Sequence, residues 1–76
     1  MTEHILDTRG LLCPMPVIKT QNAIRKLQTG DLLTVLASDP GVLHDIPAWC
    51  RINGHKLRDQ HQQNREITLV IEVCEG

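Results

Sequence analysis

Two prolines one residue apart, Pro14 and Pro16, directly after Cys13, leave the chain few ways to proceed. Proline has a fixed φ and no N–H, so it suits the first helical position, where that N–H has no intrahelical partner anyway. It also pushes the residue before it out of the α region. Cys13 is therefore expected at or just outside the N-cap of a helix, with Pro14 at its first position. Pro16 still falls among the N–H groups that a helix start leaves unpaired. On this reading the positive end of the helix dipole lies beside the sulfur and favours the thiolate. The plainer reading is a small buried apolar residue at a strand–helix junction. Gly10 on one side and the two prolines on the other specify the local backbone and favour the first.

With 76 residues the chain is expected to form a single domain, residues 1–76, with one modest core. Trp49 is its sole aromatic residue, so that core has to be aliphatic. A net charge of −1, with no basic run, argues against stable nucleic-acid binding, which rests on neutralising phosphates. The longest apolar stretch, Leu11 to Ile18, is broken by both prolines and is too short to span a bilayer, so no membrane association is expected. The N-terminus does not resemble a signal peptide, and a cytoplasmic location follows as the default. Three cysteines cannot all pair internally and none is spaced as CxxC, which points to a reducing compartment with at least one free thiol.

Periodicity orders the rest. His4 to Thr8 reads as a first strand, and Arg9-Gly10 as the bend after it. From Pro14 to about Gln28, Val17, Ala23, Ile24 and Leu27 fall on one helical side with Thr20 between them. Lys19, Asn22 and Lys26 form another side, and Gly30 is the stop. Asp31 to Ala37 is an apolar run bounded by turn residues, hence a central strand, and the crossover makes it parallel to the first. Asp39 reads as a cap with Pro40 at a first helical position. A short turn over Gly41 to His44 and a fresh helix start at Asp45 accommodate Pro47, and Gly54 ends that helix. His55 to about His61 reads as an edge strand, and Gln60 to Arg65 as a loop. Glu66 to Val73 alternates as a half-buried antiparallel strand. The order βαβαββ predicts an α/β two-layer sandwich, a four-stranded mixed sheet with two helices on one face. Its core is expected from Leu33, Val35, Ile67, Leu69 and Ile71 with Val17, Ile24, Leu27 and Ile46.

These motifs together resemble a known family. Gly10-x-x-Cys13-Pro14-x-Pro16 after a first strand, Gly30-Asp31, Asp39-Pro40, Asp45-Ile-Pro47-x-Trp-Cys50 and Gly54-His55 are similar to the TusA/SirA-like sulfur carriers, over Leu6 to about Leu57. The resemblance implies that Cys13 holds sulfur as a persulfide, with Gly10, Pro14 and Pro16 supporting the motif. It implies a cysteine desulfurase or rhodanese-type donor and a downstream sulfur-carrier protein as acceptor, in tRNA thiolation, molybdenum-cofactor or sulfur-oxidation pathways. It implies a carrier rather than a complete enzyme, acting as a monomer and needing no cofactor of its own, since the donor brings its own. Arg9, Leu11, Leu12 and Lys19 are the candidate docking rim; Lys19, Arg25, Lys26 and Arg9 read equally as a solvated face. Cys50 is expected to be buried and Cys74 to be a frayed-end thiol. His55 either starts a strand or serves the C-terminus of the second helix. His55 and His61 lack the cysteine pair of a zinc finger, so no metal site is expected. Two other classes remain open: an RNA-binding module, since the fold order is similar to that of the C-terminal domain of bacterial translation initiation factor three, and a thiol-based regulatory protein using Cys13 with Cys50.

Overall fold

In a computed structural model, which describes residues 2–74, the elements are β1 (Glu3–Thr8), α1 (Met15–Ile24), β2 (Leu32–Ala37), α2 (Val42–Asn53), β3 (Lys56–Gln63) and β4 (Glu66–Glu72). The sheet order is β1-β2-β4-β3, with β1 and β2 parallel and the other two pairings antiparallel. This is the expected βαβαββ mixed sheet with two helices. Alternation along the central strands decides which face the helices cover. Leu33, Val35 and Ala37 on β2 and Ile67, Leu69 and Ile71 on β4 are buried, while Leu32, Thr34, Leu36, Thr68 and Val70 between them are only half covered. The helices close this core with Ile24 from α1 and Val42, Ile46 and Cys50 from α2. Val17 and Leu27, expected in the core, lie at its margin, half-buried and packed against it.

Pro14 is not the first helical residue but the N-cap, so Cys13 sits one residue outside the helix, and the Cys13–Pro14 peptide is cis. Helix α1 also ends at Ile24 rather than Gln28. Beyond it Lys26 N–H donates to Ala23 O and Leu27 N–H to Ile24 O, a tighter three-residue coil that still turns Leu27 onto the core. Helix α2 departs from expectation in the opposite sense. Its cap is Gly41, with Pro40 outside, and it runs unbroken through Pro47. An interior proline forfeits one helical hydrogen bond and costs about 3 kcal/mol in isolation. Here Val42, Ile46 and Cys50, spaced by four residues, are all buried and carry the helix across the gap. Gly54 ends it in the left-handed region, and the N–H of His55 caps Cys50 O at 2.9 Å.

The glutamine-rich segment expected as a loop belongs to β3, which pairs with β4 as far as Gln63 opposite Glu66. Asn64, with φ of 56°, and Arg65 make a tight hairpin turn. Of β3 only Leu57 is drawn toward the core, which marks it as the edge strand.

Candidate functional site

Because β1 and β2 are parallel neighbours, with Thr8 opposite Ala37, their C-terminal ends lie side by side. The two loops leaving them, residues 9–14 and 38–41, meet there, each just ahead of a helix. Polar contacts bind them together. Thr8 Oγ1 donates to Leu36 O at 2.7 Å, and the N–H of Gly10, at φ of 84°, donates to Ser38 Oγ at 2.8 Å. The Cys13 N–H donates to Asp39 Oδ2 at 2.8 Å, and the Gly41 N–H to Asp39 Oδ1 at 3.1 Å. Asp39 therefore clamps the cysteine loop onto the start of α2. Those donors hold its carboxyl below the ordinary value, so it is an anion at neutral pH.

The Cys13 sulfur lies half-buried over this clamp. A methyl group built on Gly41 would come within 3.1 Å of it, so only glycine leaves the sulfur its present position. Desolvation, together with the nearby carboxylates of Asp39 and Asp45, pushes the thiol up to about 12. That reverses the expectation of a helix-stabilised thiolate. A helix terminus is worth about 0.3–1 kcal/mol and one pH unit corresponds to about 1.4 kcal/mol, so the dipole cannot offset burial plus two carboxylates. At rest Cys13 is a thiol, not a thiolate.

Exposed apolar residues flank Cys13 along the chain. Leu12 is 74% exposed, Ile18 43% and Met15 40%, a three-residue spacing that runs from the loop onto the outer side of α1. Leu11 is half-buried, Pro14 is exposed and Pro16 is buried beneath. Lys19 is exposed beside Ile18, whereas Arg9 turns away, with its guanidinium bonded to Asp7 at 2.9 Å and 3.6 Å from Glu66. Sequence reasoning takes Asp39 and Asp45 for helix-start residues only and does not single out Met15 or Ile18. The signal for the last two is present: a second apolar stripe on α1, opposite the buried one of Pro16, Thr20 and Ile24.

The other thiols are elsewhere. Cys50 is 1% exposed in the core, and burial alone pushes it up to about 11. It lies nine residues along α2 from Gly41, about 13 Å at 1.5 Å per residue, which is beyond disulfide reach of Cys13. Cys74 follows β4 at the far end of the sheet, where Leu32 pairs with Glu72. It is half-buried rather than frayed: its N–H donates to His55 Nδ1 at 3.0 Å, and the His55 ring stacks on Trp49 with centroids 5.3 Å apart. His55 thus precedes β3 and tethers the end of β4, while its backbone caps α2. The one aromatic residue, Trp49, is engaged on the helix side, so the open sheet face offers no stacking platform for RNA. Among the described residues no three His, Cys, Asp or Glu side chains converge as a metal-ligand group, and no helix is long and apolar enough to cross a membrane.

Comparison with known proteins agrees with this geometry. The chain is 43% identical over 72 residues, 95% of its length and 97% of the relative's, to a Neisseria meningitidis protein whose name marks it as a candidate sulfur carrier. It is 46% identical over 61 residues to the sulfur carrier protein TusA of Pseudomonas paraeruginosa, covering 80% of this chain and 77% of that one. The crystal structure of a SirA-like protein from Desulfitobacterium hafniense superposes with a TM-score of 0.82 at 24% identity, over 95% of this chain and 99% of the other, and so shares the fold. The family profile described as Sulfurtransferase TusA matches residues 4–73, and with the Cys13 loop in place the chain belongs to that family of sulfur carriers.

Proposed function

We propose that the protein carries sulfane sulfur as a persulfide on Cys13, taking it from a cysteine desulfurase or rhodanese-type donor and passing it to a downstream carrier protein. The observation that supports this most directly is that Cys13 is the one thiol set in a built loop at an exposed apolar surface, while Cys50 is sealed in the core. In loading, the Cys13 sulfur attacks the terminal sulfur of the donor's persulfide. A new S–S bond forms on Cys13, the donor's S–S bond breaks, and the electron pair leaves on the donor's cysteine, which takes up the proton that Cys13 releases. No net oxidation occurs. Delivery repeats the exchange with the acceptor's thiolate. The chemistry needs two sulfurs and a precise approach but no resident cofactor, and tRNA thiolation, molybdenum-cofactor assembly and sulfur oxidation all consume sulfur in this form.

Leu11, Leu12, Met15 and Ile18 with Lys19 serve as the docking rim, and the monomer in the cytoplasm is the acting species. The test is peptide mass mapping after incubation with a desulfurase and cysteine. One added sulfur is expected on the Cys13 peptide and none on Cys50, and Cys13→Ser is expected to abolish delivery to an acceptor. Delivery undiminished by Cys13→Ser would end this reading. In the same assay Lys19→Glu is expected to slow transfer at low salt and much less at high salt, since screening removes steering. A rate indifferent to both leaves Lys19 as a solvated residue.

A further inference from the structure

Asp39 and Asp45 set two carboxylates against a sulfur that must become an anion in order to attack. Asp39 is fixed there by the N–H groups of Cys13 and Gly41, and Asp45 joins it from the first turn of α2. The sulfur and both Asp39 oxygens crowd the same side of Gly41, Asp45 stands one helical turn on, its N–H bonded to Gly41 O, and both carboxylates raise the thiol. Among the described residues Asp45 has no cation and no backbone donor of its own to occupy it. This chain's own cations do not answer them. Arg9, the nearest along the chain on the N-terminal side, is committed to Asp7 and Glu66. Lys19 lies a turn into α1 on the exposed side, and neither it nor Arg9 is among the groups that act on the sulfur.

Neither carboxylate can take over the proton. A carboxylate is far too weak a base for so weak an acid. With the thiol held well above its ordinary value, very little of it is thiolate at pH 7. A carrier with this resting state reacts only slowly with stray electrophiles, and a partner that offsets the carboxylates would speed it. The exposed side chains of Leu12 and Met15, on either side of Cys13 in the chain, supply the apolar contact that would exclude water from such a meeting, and charge interactions strengthen as water leaves.

We propose that the surface formed by Cys13, Asp39 and Asp45 is a receptor for a cationic side chain, so that the sulfur donor this protein fits presents a lysine or arginine next to its persulfide, ringed by apolar residues. The incoming cation offsets both carboxylates and frees the thiolate in the complex alone. This deepens the persulfide-carrier reading and rests on it for the identity of the partner, but the surface property is measurable without any sulfur transfer.

The experiment uses two methanethiosulfonate reagents of similar size and opposite charge, a trimethylammonium-ethyl and a sulfonatoethyl compound. In each the thiolate displaces methanesulfinate and forms a mixed disulfide, so atoms and electrons balance without a further reagent. Rates are followed on the Cys13 peptide of the full chain and divided by those of a neutral small thiol, 2-mercaptoethanol. The corrected preference for the cation is expected to reach about tenfold or more at low salt and to shrink as salt rises. It is expected to fall severalfold in Asp45→Asn, a position outside the backbone clamp, while the absolute rate with a neutral reagent rises. The salt series on the unaltered protein stands even if a variant misfolds. A corrected ratio near one at low salt, or a ratio unchanged in a folded Asp45→Asn, would overturn the cation receptor and leave sulfur carriage on Cys13 untouched. Failure of sulfur loading with the ratio intact would do the reverse.

Discussion

Cys13 and Cys50 are both thiols pushed far above their ordinary range, yet they are held there by different means. Cys50 is covered on all sides by Val42, Ile46 and the sheet, and desolvation is its only cause. Cys13 is half-buried at the meeting of two loops, where two carboxylates add to a partial desolvation. Packing can be undone only by unfolding, whereas a charge can be neutralised by whatever docks against it. The contrast teaches that a perturbed thiol is not by itself a functional one; what distinguishes the two is whether the perturbation can be lifted from outside. The largest expected difference follows at once. Removing the sulfur of Cys13 is expected to abolish delivery, while Cys50→Ala is expected to keep it and to lose only roughly 1 kcal/mol of stability, the ordinary cost of a core change. A folded Cys50→Ala that no longer delivers sulfur would erase the contrast.

A second test acts on the packing alone. Leu69 is fully buried in the core on β4, and Leu69→Ala is expected to cost about 2–5 kcal/mol by urea unfolding. Because Cys50 reacts only when the fold opens, that loss is expected to speed its labelling by about 30-fold or more, at 1.4 kcal/mol per decade. Cys13, reached from the surface, is expected to change little. Equal acceleration of both thiols would show that Cys13 also waits for global opening.

Much of this arrangement is legible in the sequence, and the parts that are not fail for identifiable reasons. The alternation Ile67-x-Leu69-x-Ile71 and the apolar run of Leu33 and Val35 specify the central strands because burial of one face is the dominant force there. The position of Cys13 just outside α1 follows from proline sterics, which are local. Local rules mislead where tertiary contacts outweigh them. Pro47 reads as a break, but the stripe of Val42, Ile46 and Cys50 carries α2 across it. Gln60 to Gln63 reads as a loop, but an edge strand needs only one paired side, and β4 supplies it. The state of the Cys13 thiol is the clearest case. The helix end that favours an anion is a local feature, whereas Asp39 reaches the sulfur through the parallel pairing of β1 and β2, twenty-six residues on.

Alkaline titration separates the two thiols by smaller amounts. Each has a folded value raised above the ordinary thiol value of 9.0, so the stability it contributes is complete below that pH and is lost as the pH climbs toward the folded value. Both losses begin near pH 9; that of Cys50 is complete near 11 and that of Cys13 near 12. Unfolding free energy measured between about pH 8 and 11 is expected to fall, and to fall less steeply in Cys50→Ala. On the acid side Asp39 has the opposite sign. Its depressed value means that its contribution is present above the ordinary carboxylate range and fades as the pH drops below 3.8 toward the folded value. A Cys50→Ala variant whose alkaline slope matches the unaltered protein would move the alkaline loss elsewhere.

The smallest and most selective change is Gly41→Ala. Gly41 has φ of −57° at the cap of α2, a conformation that alanine adopts freely, so the backbone raises no objection. Replacing a glycine at such a site stabilises by about 0.4–1 kcal/mol through the unfolded chain. Against that, the new methyl group would lie 3.1 Å from the Cys13 sulfur, closer than ordinary contact, while Asp39 Oδ1 at 3.5 Å and Oδ2 at 3.7 Å can stay where they are. The sulfur is the atom that has to give, by a few tenths of an ångström, and its way out is toward solvent and away from the clamp. Stability is therefore expected to remain within about 1 kcal/mol of the unaltered protein, with neutral-reagent labelling of Cys13 several times faster and that of Cys50 unchanged. If the substitution instead destabilises the whole chain and exposes both thiols together, Gly41 serves the packing of α2 rather than the seat of the sulfur, and the two regions are less separate than their chemistry suggests.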